Sequence, residues 1–177
     1  MKEALNLDDY IRRVPDFPKK GVLFYDITSI LTEPKAFNYC IETMAEMYRG
    51  KSIDAIAAIE ARGFVFAAPF AFRMGIPLIL IRKKGKLPGK ILSKKYSLEY
   101  AEAEIEIHCE DVPRGGRVLL MDDLIATGGT LNAARGLIAD CGATVPEIFG
   151  VVSLPFLGYE KALAPTPVRT LISYDSE

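Results

Sequence analysis

Cysteine and histidine are scarce, with three cysteines and one histidine among 177 residues. Cys40, Cys109 and Cys141 are odd in number and lack CxxC spacing, and His108 stands beside only one of them, so no metal-ligand set is recognisable. The three read as reduced thiols, with Cys40 and Cys141 packed in helix cores as small hydrophobes, and His108 reads as structural. An excess of charge of one sign is also missing. Lys and Arg number 22 against 23 Asp and Glu, a formal net charge of −1 that leaves no basic field to collect nucleic acid. No uninterrupted apolar run approaches the roughly 18 residues a membrane helix needs, and the N-terminal MKEALNLDDY carries acids where a secretory signal has an apolar core. Such a composition fits a cytoplasmic protein with neither nucleic acid nor membrane as partner. Internal repeats, low-complexity stretches and an interdomain linker are absent as well, so residues 1–177 are expected to form a single domain.

What the chain does contain is an alternation of helical and extended patterns. Lys35 to Arg49 carries Phe37, Ile41, Met44 and Met47 near the helical period behind Pro34. Ile53 to Ile59, Ile76 to Ile81, Arg117 to Met121 and Val145 to Leu154 read as buried strands. Helices are expected from about Phe64 to Met74, with Pro69 bending the helix or delaying its start, and from Thr130 until Gly142. Strands alternating with helices predict an α/β fold with a mainly parallel central sheet flanked by helices, and ligands beyond the carboxyl ends of the strands. Residues 83–111 break the alternation, and long excursions of that kind often serve as lids or binding loops.

The most informative stretch is VLLMDDLIATGGT, Val118 to Thr130. Ala126, Thr127, Gly128, Gly129 and Thr130 at a helix N-terminus offer free N–H groups and hydroxyls to a phosphate, and the glycines let it approach. Asp122 and Asp123 just before them suit the vicinal hydroxyls of a ribose, so the spacing fits a phosphorylated pentose. A Walker loop is excluded because no GK[ST] follows the glycines, and no strand is followed by GxGxxG. The plainer alternative is a tight strand-to-helix turn with solvated acids and Thr130 as an ordinary N-cap.

That string resembles the phosphoribosyl pyrophosphate motif of the type I phosphoribosyltransferases. PDFPKKGVLFYDIT (Pro15 to Thr28), EARGF (Glu60 to Phe64), IRKKGKLPG (Ile81 to Gly89) and YSLEYAEAEIEIH (Tyr96 to His108) extend the resemblance to the family's adenine-specific branch across nearly the whole chain. The resemblance implies a type I phosphoribosyltransferase fold with a small N-terminal hood at about 1–34 and a flexible catalytic loop at about 83–111. It further implies transfer of the phosphoribosyl group from phosphoribosyl pyrophosphate to N9 of adenine, giving AMP and pyrophosphate. Homodimerisation and Mg²⁺ held mainly by the donor's pyrophosphate and ribose oxygens follow from it, with no dedicated protein metal site.

Residue roles follow from the same resemblance. Glu60, Ala61, Arg62 and Gly63 form the pyrophosphate loop, with Arg62 reaching the adenine and the Glu60–Ala61 peptide cis. Arg82, Lys83, Lys84 and Lys86 supply cations to the departing pyrophosphate. Glu99, flanked by Tyr96 and Tyr100, is the acid/base partner at N7. Main-chain groups around Leu23 and Tyr25 read the base, Phe24 and Leu124 sandwich it, and Asp26 anchors the hood. The chain departs from the pattern at Tyr25, where relatives commonly have arginine. For Arg62 the plainer reading is a surface ion pair with Glu60. The rival functions are a phosphoribosyltransferase for another purine, and a noncatalytic sensor of phosphoribosyl pyrophosphate.

Overall fold

The computed structural model describes residues 5–97 and 102–176. A short antiparallel hairpin, β1 (Arg12–Pro15) and β2 (Leu23–Asp26), opens the chain, followed by α1 (Thr28–Leu31) and α2 (Pro34–Tyr48). Then come β3 (Ala55–Ile59), α3 (Arg62–Met74), β4 (Leu78–Lys83), β5 (Leu92–Ser97) and β6 (Glu102–Ile107). The chain closes with β7 (Val118–Ile125), α4 (Gly129–Asp140), β8 (Ile148–Ser153), α5 (Tyr159–Leu163) and β9 (Val168–Ser173). The main sheet has seven strands in the order β5-β6-β4-β3-β7-β8-β9, parallel from β4 to β9 and antiparallel where β6 meets β4 and β5.

Two cores follow from the alternation of side chains along β3. Ile56 and Ala58 face one side with Phe66, Phe70, Leu119, Met121 and Phe149, under α2 and α3. Ala55, Ala57 and Ile59 face the other with Leu120, Leu131, Leu137 and Ile138, under α4. The mainly parallel, two-sided architecture expected from the alternation is therefore the one observed.

Element ends differ from the expectation for identifiable reasons. β7 does not stop at Met121, because parallel pairing with β8 continues through Asp122, Leu124 and Ile125. β4 likewise runs on through Arg82 and Lys83, opposite Glu106 and Ile105 of β6. Ladder hydrogen bonds carry these polar residues into strands despite their charge. α3 starts at Arg62 and passes through Pro69. The carbonyl that Pro69 leaves without a donor belongs to Val65, an exposed residue, so water can satisfy it.

Residues 83–111, expected as one flexible loop, carry the β5–β6 hairpin instead. Ile105 and Ile107 are buried while Glu102 is exposed, and β5 lies over α4 with the Lys94 ammonium 2.9 Å from Asp140. The cysteine expectation is corrected as well. Cys40 is free and buried, but Cys109 and Cys141 form a disulfide, with Cα atoms 5.1 Å apart and a sequence separation of 32. The turn after β6 and the end of α4 are neighbours only once the hairpin lies on that helix, which spacing along the chain does not reveal.

A thiol titration of the unreduced, denatured protein is expected to find one reactive cysteine, and three after reduction. Cys109→Ser should lower unfolding free energy by roughly 4 kcal/mol on the chain-entropy account of a loop this long. Three thiols without reductant, or an unchanged denaturation midpoint, would contradict the bridge.

Candidate active site

The carboxyl ends of β3, β4 and β7 converge where α3 and α4 begin, enclosing a cavity of about 290 Å³. Its wall brings together Glu60, Ala61, Arg62, Lys83, Asp122, Asp123, Leu124 and Thr130, all singled out in the sequence. The Glu60–Ala61 peptide is cis. Glu60 accepts hydrogen bonds from Arg82 Nη2 and from the Lys83 N–H, each at 2.9 Å. The Arg82 guanidinium thereby holds the Glu60 carboxyl below its usual range. Arg82 Nη1 also donates to the Lys86 carbonyl at 2.9 Å, and Lys84 pairs with Glu104 at 2.7 Å. Arg82, Lys84 and Lys86 therefore shape the turn after β4, and Lys83 is the member of this cluster that lines the cavity.

The paired acids differ in exposure: Asp123 is buried, whereas Asp122 is half-buried in the cavity wall. Asp123 is 3% exposed and accepts a hydrogen bond from Arg62 Nε, so Arg62 pairs with Asp123 and not with Glu60. The Asp122 carboxylate accepts from the Asp123 N–H at 2.8 Å. Burial, reinforced by the neighbouring Asp123 charge, pushes the Asp122 carboxyl well above its usual value. Gly63 explains the close approach of α3: a Cβ there would stand 3.0 Å from Asp122 Oδ1 and 3.3 Å from its Cα. Its role is to let the helix start against β7.

The loop 126–128 joins β7 to α4. Gly128 has φ +80° and caps α4, and a Cβ on it would meet Leu163 Cγ at 3.1 Å and Tyr159 Cβ at 3.2 Å. Both the backbone conformation and the proximity of α5 demand glycine. Thr130 lies inside the helix and donates to the Tyr96 hydroxyl at 3.1 Å, so it is not the N-cap of the plainer reading. Ala126, Thr127 and Gly128 form the loop between the wall residues Leu124 and Thr130, and Gly129 lines an adjoining groove with Lys94, Lys95 and Tyr96.

Leu23, Phe24 and Tyr25 lie on β2, outside the cavity wall. Phe24 is half-buried and edge-on to Phe17, ring centroids 5.0 Å apart. The Tyr25 ring turns away into a stack with Tyr174. Asp26 anchors the end of β2, accepting from the Thr28 N–H at 3.0 Å and from Arg12 at 3.1 Å. Glu99 and Tyr100 lie outside the described residues. Tyr96, with Ile59, Ile81 and Ile105, completes the wall without having been assigned to the site from sequence. Its position in β5, folded back over α4, is what brings it there. Among the described residues no group of three or more His, Cys, Asp or Glu side chains is arranged to hold a metal, and no helix is long and apolar enough to cross a membrane.

The phosphoribosyl transferase domain model matches residues 26–155. The adenine phosphoribosyltransferase of Treponema denticola is 64% identical over 177 residues, covering 100% of this chain and 93% of that protein. The chain belongs to the adenine phosphoribosyltransferase family. The crystal structure of adenine phosphoribosyltransferase from Thermoanaerobacter pseudethanolicus superposes with a TM-score of 0.90 at 45% identity, covering 96% of this chain and 100% of that one. The Saccharomyces cerevisiae adenine phosphoribosyltransferase, solved with an imino-altritol bisphosphate and adenine, gives a TM-score of 0.87 at 35% identity over 93% of this chain and 96% of that one. The fold is thus that of a type I phosphoribosyltransferase.

An adenine phosphoribosyltransferase with this acid pair is destabilised by Asp122 once it ionises. Its folded-state value is raised, so the stability tied to the protonated form is present at low pH and is lost as pH rises through that value. Asp122→Asn should therefore raise the melting temperature of the ligand-free protein at neutral pH, with the gain vanishing near pH 3. A lower melting temperature at pH 7 would show that the carboxylate is not under this penalty.

Proposed function

We propose that this chain transfers the phosphoribosyl group of phosphoribosyl pyrophosphate to N9 of adenine, giving AMP and pyrophosphate, and that the cavity at the ends of β3, β4 and β7 is where it does so. The observation that carries the reading is the convergence there of Arg62 and Lys83 with the Asp122–Asp123 pair and the start of α4. In this reading the 5′-phosphate takes the N–H groups and hydroxyls of Ala126 to Thr130, and the ribose hydroxyls face Asp122 and Asp123. Pyrophosphate lies between Glu60–Gly63 and Lys83, with Arg82 and Lys86 at its edge.

N9 of adenine bonds to C1 of the ribose as the C1–oxygen bond to pyrophosphate breaks, and Glu99 accepts the proton that leaves N7. Charge on the leaving group is met by cations already in place, which is where most of the acceleration would arise. Phe24 and Leu124 take the two faces of the base, with Leu23 and Tyr25 offering main-chain groups to its edge. Mg²⁺, when bound with the donor, supplies positive charge to pyrophosphate and ribose oxygens, a role suited to acids that line the cavity without forming a cage. A cytoplasmic location is proposed too, and its reducing thiols would tend to open the Cys109–Cys141 bridge.

AMP formation is expected from adenine, phosphoribosyl pyrophosphate and Mg²⁺, with hypoxanthine and guanine inactive as parallel acceptors. Glu99→Ala should depress turnover by roughly 100-fold or more while donor binding stays near wild type. Reaction of another purine would remove the base assignment. Donor binding without any turnover would point to a sensor, and wild-type turnover by the variant would take Glu99 out of the mechanism.

Homodimerisation belongs to the same proposal. Phe72 is 90% exposed, with Val65 exposed one heptad before it on α3 and Leu80 exposed on β4. Leu78 packs on the core beneath α3, so Leu80, two residues on, faces the same side and extends one apolar surface. A second copy covering this surface would also bring a neighbour close to the cations at the end of β4. Sedimentation is expected to show a dimer that Phe72→Glu converts to monomer, and a monomeric wild type at micromolar concentration would overturn it.

A further inference from the structure

The β1–β2 hairpin forms a sheet of its own, apart from the seven-stranded sheet. A two-stranded hairpin is marginal by itself in water, so side-chain contacts must set where it stands. Tyr25, 5% exposed, stacks on Tyr174 with ring centroids 4.0 Å apart and planes 16° from parallel. Tyr174 is fixed to the body of the protein, since its N–H donates to the Ser153 carbonyl at 3.0 Å at the end of β8. Its hydroxyl donates to Asp8. Both Asp8 oxygens also accept from Arg13 Nη2, at 2.7 and 2.9 Å. The Arg13 guanidinium carbon lies 6.0 Å from the centroid of the Tyr25 ring and 5.6 Å from that of Tyr174. Arg13 is opposite Tyr25 in the hairpin register, so the cluster grips both strands.

Successive residues of a strand face opposite ways. Tyr25 therefore points toward the C-terminal segment, and Phe24 toward the other side of β2. Any shift of the gripped face moves Phe24 and the main chain at Leu23 by the same amount. We infer that the Tyr25–Tyr174 stack, braced by Asp8 and Arg13, is a latch that sets the hood over the cavity and so controls adenine binding without any of the four side chains touching the substrate. Tyr174 and Asp8 are positioning residues in this account, which rests on the proposed reading of β2 as the adenine-binding hood.

Initial rates with each substrate varied in turn test it. Tyr174→Ala is expected to raise KM for adenine about tenfold, while kcat and KM for phosphoribosyl pyrophosphate stay within about twofold. Tyr174→Phe keeps the stack and loses the bond to Asp8, so its KM for adenine should rise about threefold. If Tyr174→Ala does not fold, Tyr174→Phe decides. A wild-type KM for adenine in the folded variants, or parallel changes in kcat and both KM values, overturns the latch. Phe24→Ala separates the two claims. If it leaves KM for adenine unchanged, the hood reading falls and the latch with it. If it raises that KM while the Tyr174 variants do not, the latch alone is wrong.

Discussion

β3 is buried along its whole length, from Ala55 to Ile59, so both of its edges and both of its faces must be covered at once. Parallel pairing with β4 and β7 satisfies the edges, and α3 and α4 cover the faces. Everything chemical in the molecule depends on that constraint. Three strands running in one direction end together, and each delivers polar residues to the same place: Glu60 from the end of β3, Lys83 from β4, and the two acids from β7. Because the crossovers return over the sheet, the helices after β3 and β7 begin at that same end and add their free N–H groups.

Charges gathered this closely in a partly dry cavity must be balanced before any ligand arrives. The structure does so by pairing Arg62 with Asp123 and Arg82 with Glu60, while Asp122 is left beside a like charge with its proton held more tightly than usual. Such a site keeps its geometry through internal ion pairs and leaves Asp122 as its least well compensated group. A bound cation or a set of ribose hydroxyls near Asp122 would relieve the repulsion, which links binding to the stability of the fold.

The β7–loop–α4 unit could be read from the chain because every feature in it is local: an apolar strand, two acids, then small residues that only a phosphate-sized partner or a tight turn would need. EARGF and the cations after Ile81 were legible for the same reason. Tyr96 was not, since its place in the wall depends on β5 folding back over α4 and on a hydroxyl contact with Thr130 across 34 residues. Nor was the orientation of Tyr25, which is decided by Tyr174 at the other end of the chain. Pro69 does not delay the start of α3, because a helix can pass through proline when the freed carbonyl faces solvent, and exposure is a property of the packed structure.

Residue order alone determined the fold class, the strand-end location of the site and the residue types that make it, because hydrophobic period and turn chemistry act over a few neighbouring residues. Only the tertiary structure decided which charge meets which. Arg62 chooses Asp123 over the closer-in-sequence Glu60, Cys109 meets Cys141, and Tyr25 of the β1–β2 hairpin stacks on Tyr174 of the C-terminal segment. Ion pairs, bridges and ring stacks form between groups brought within a few ångströms by the sheet, and separation along the chain does not report that distance.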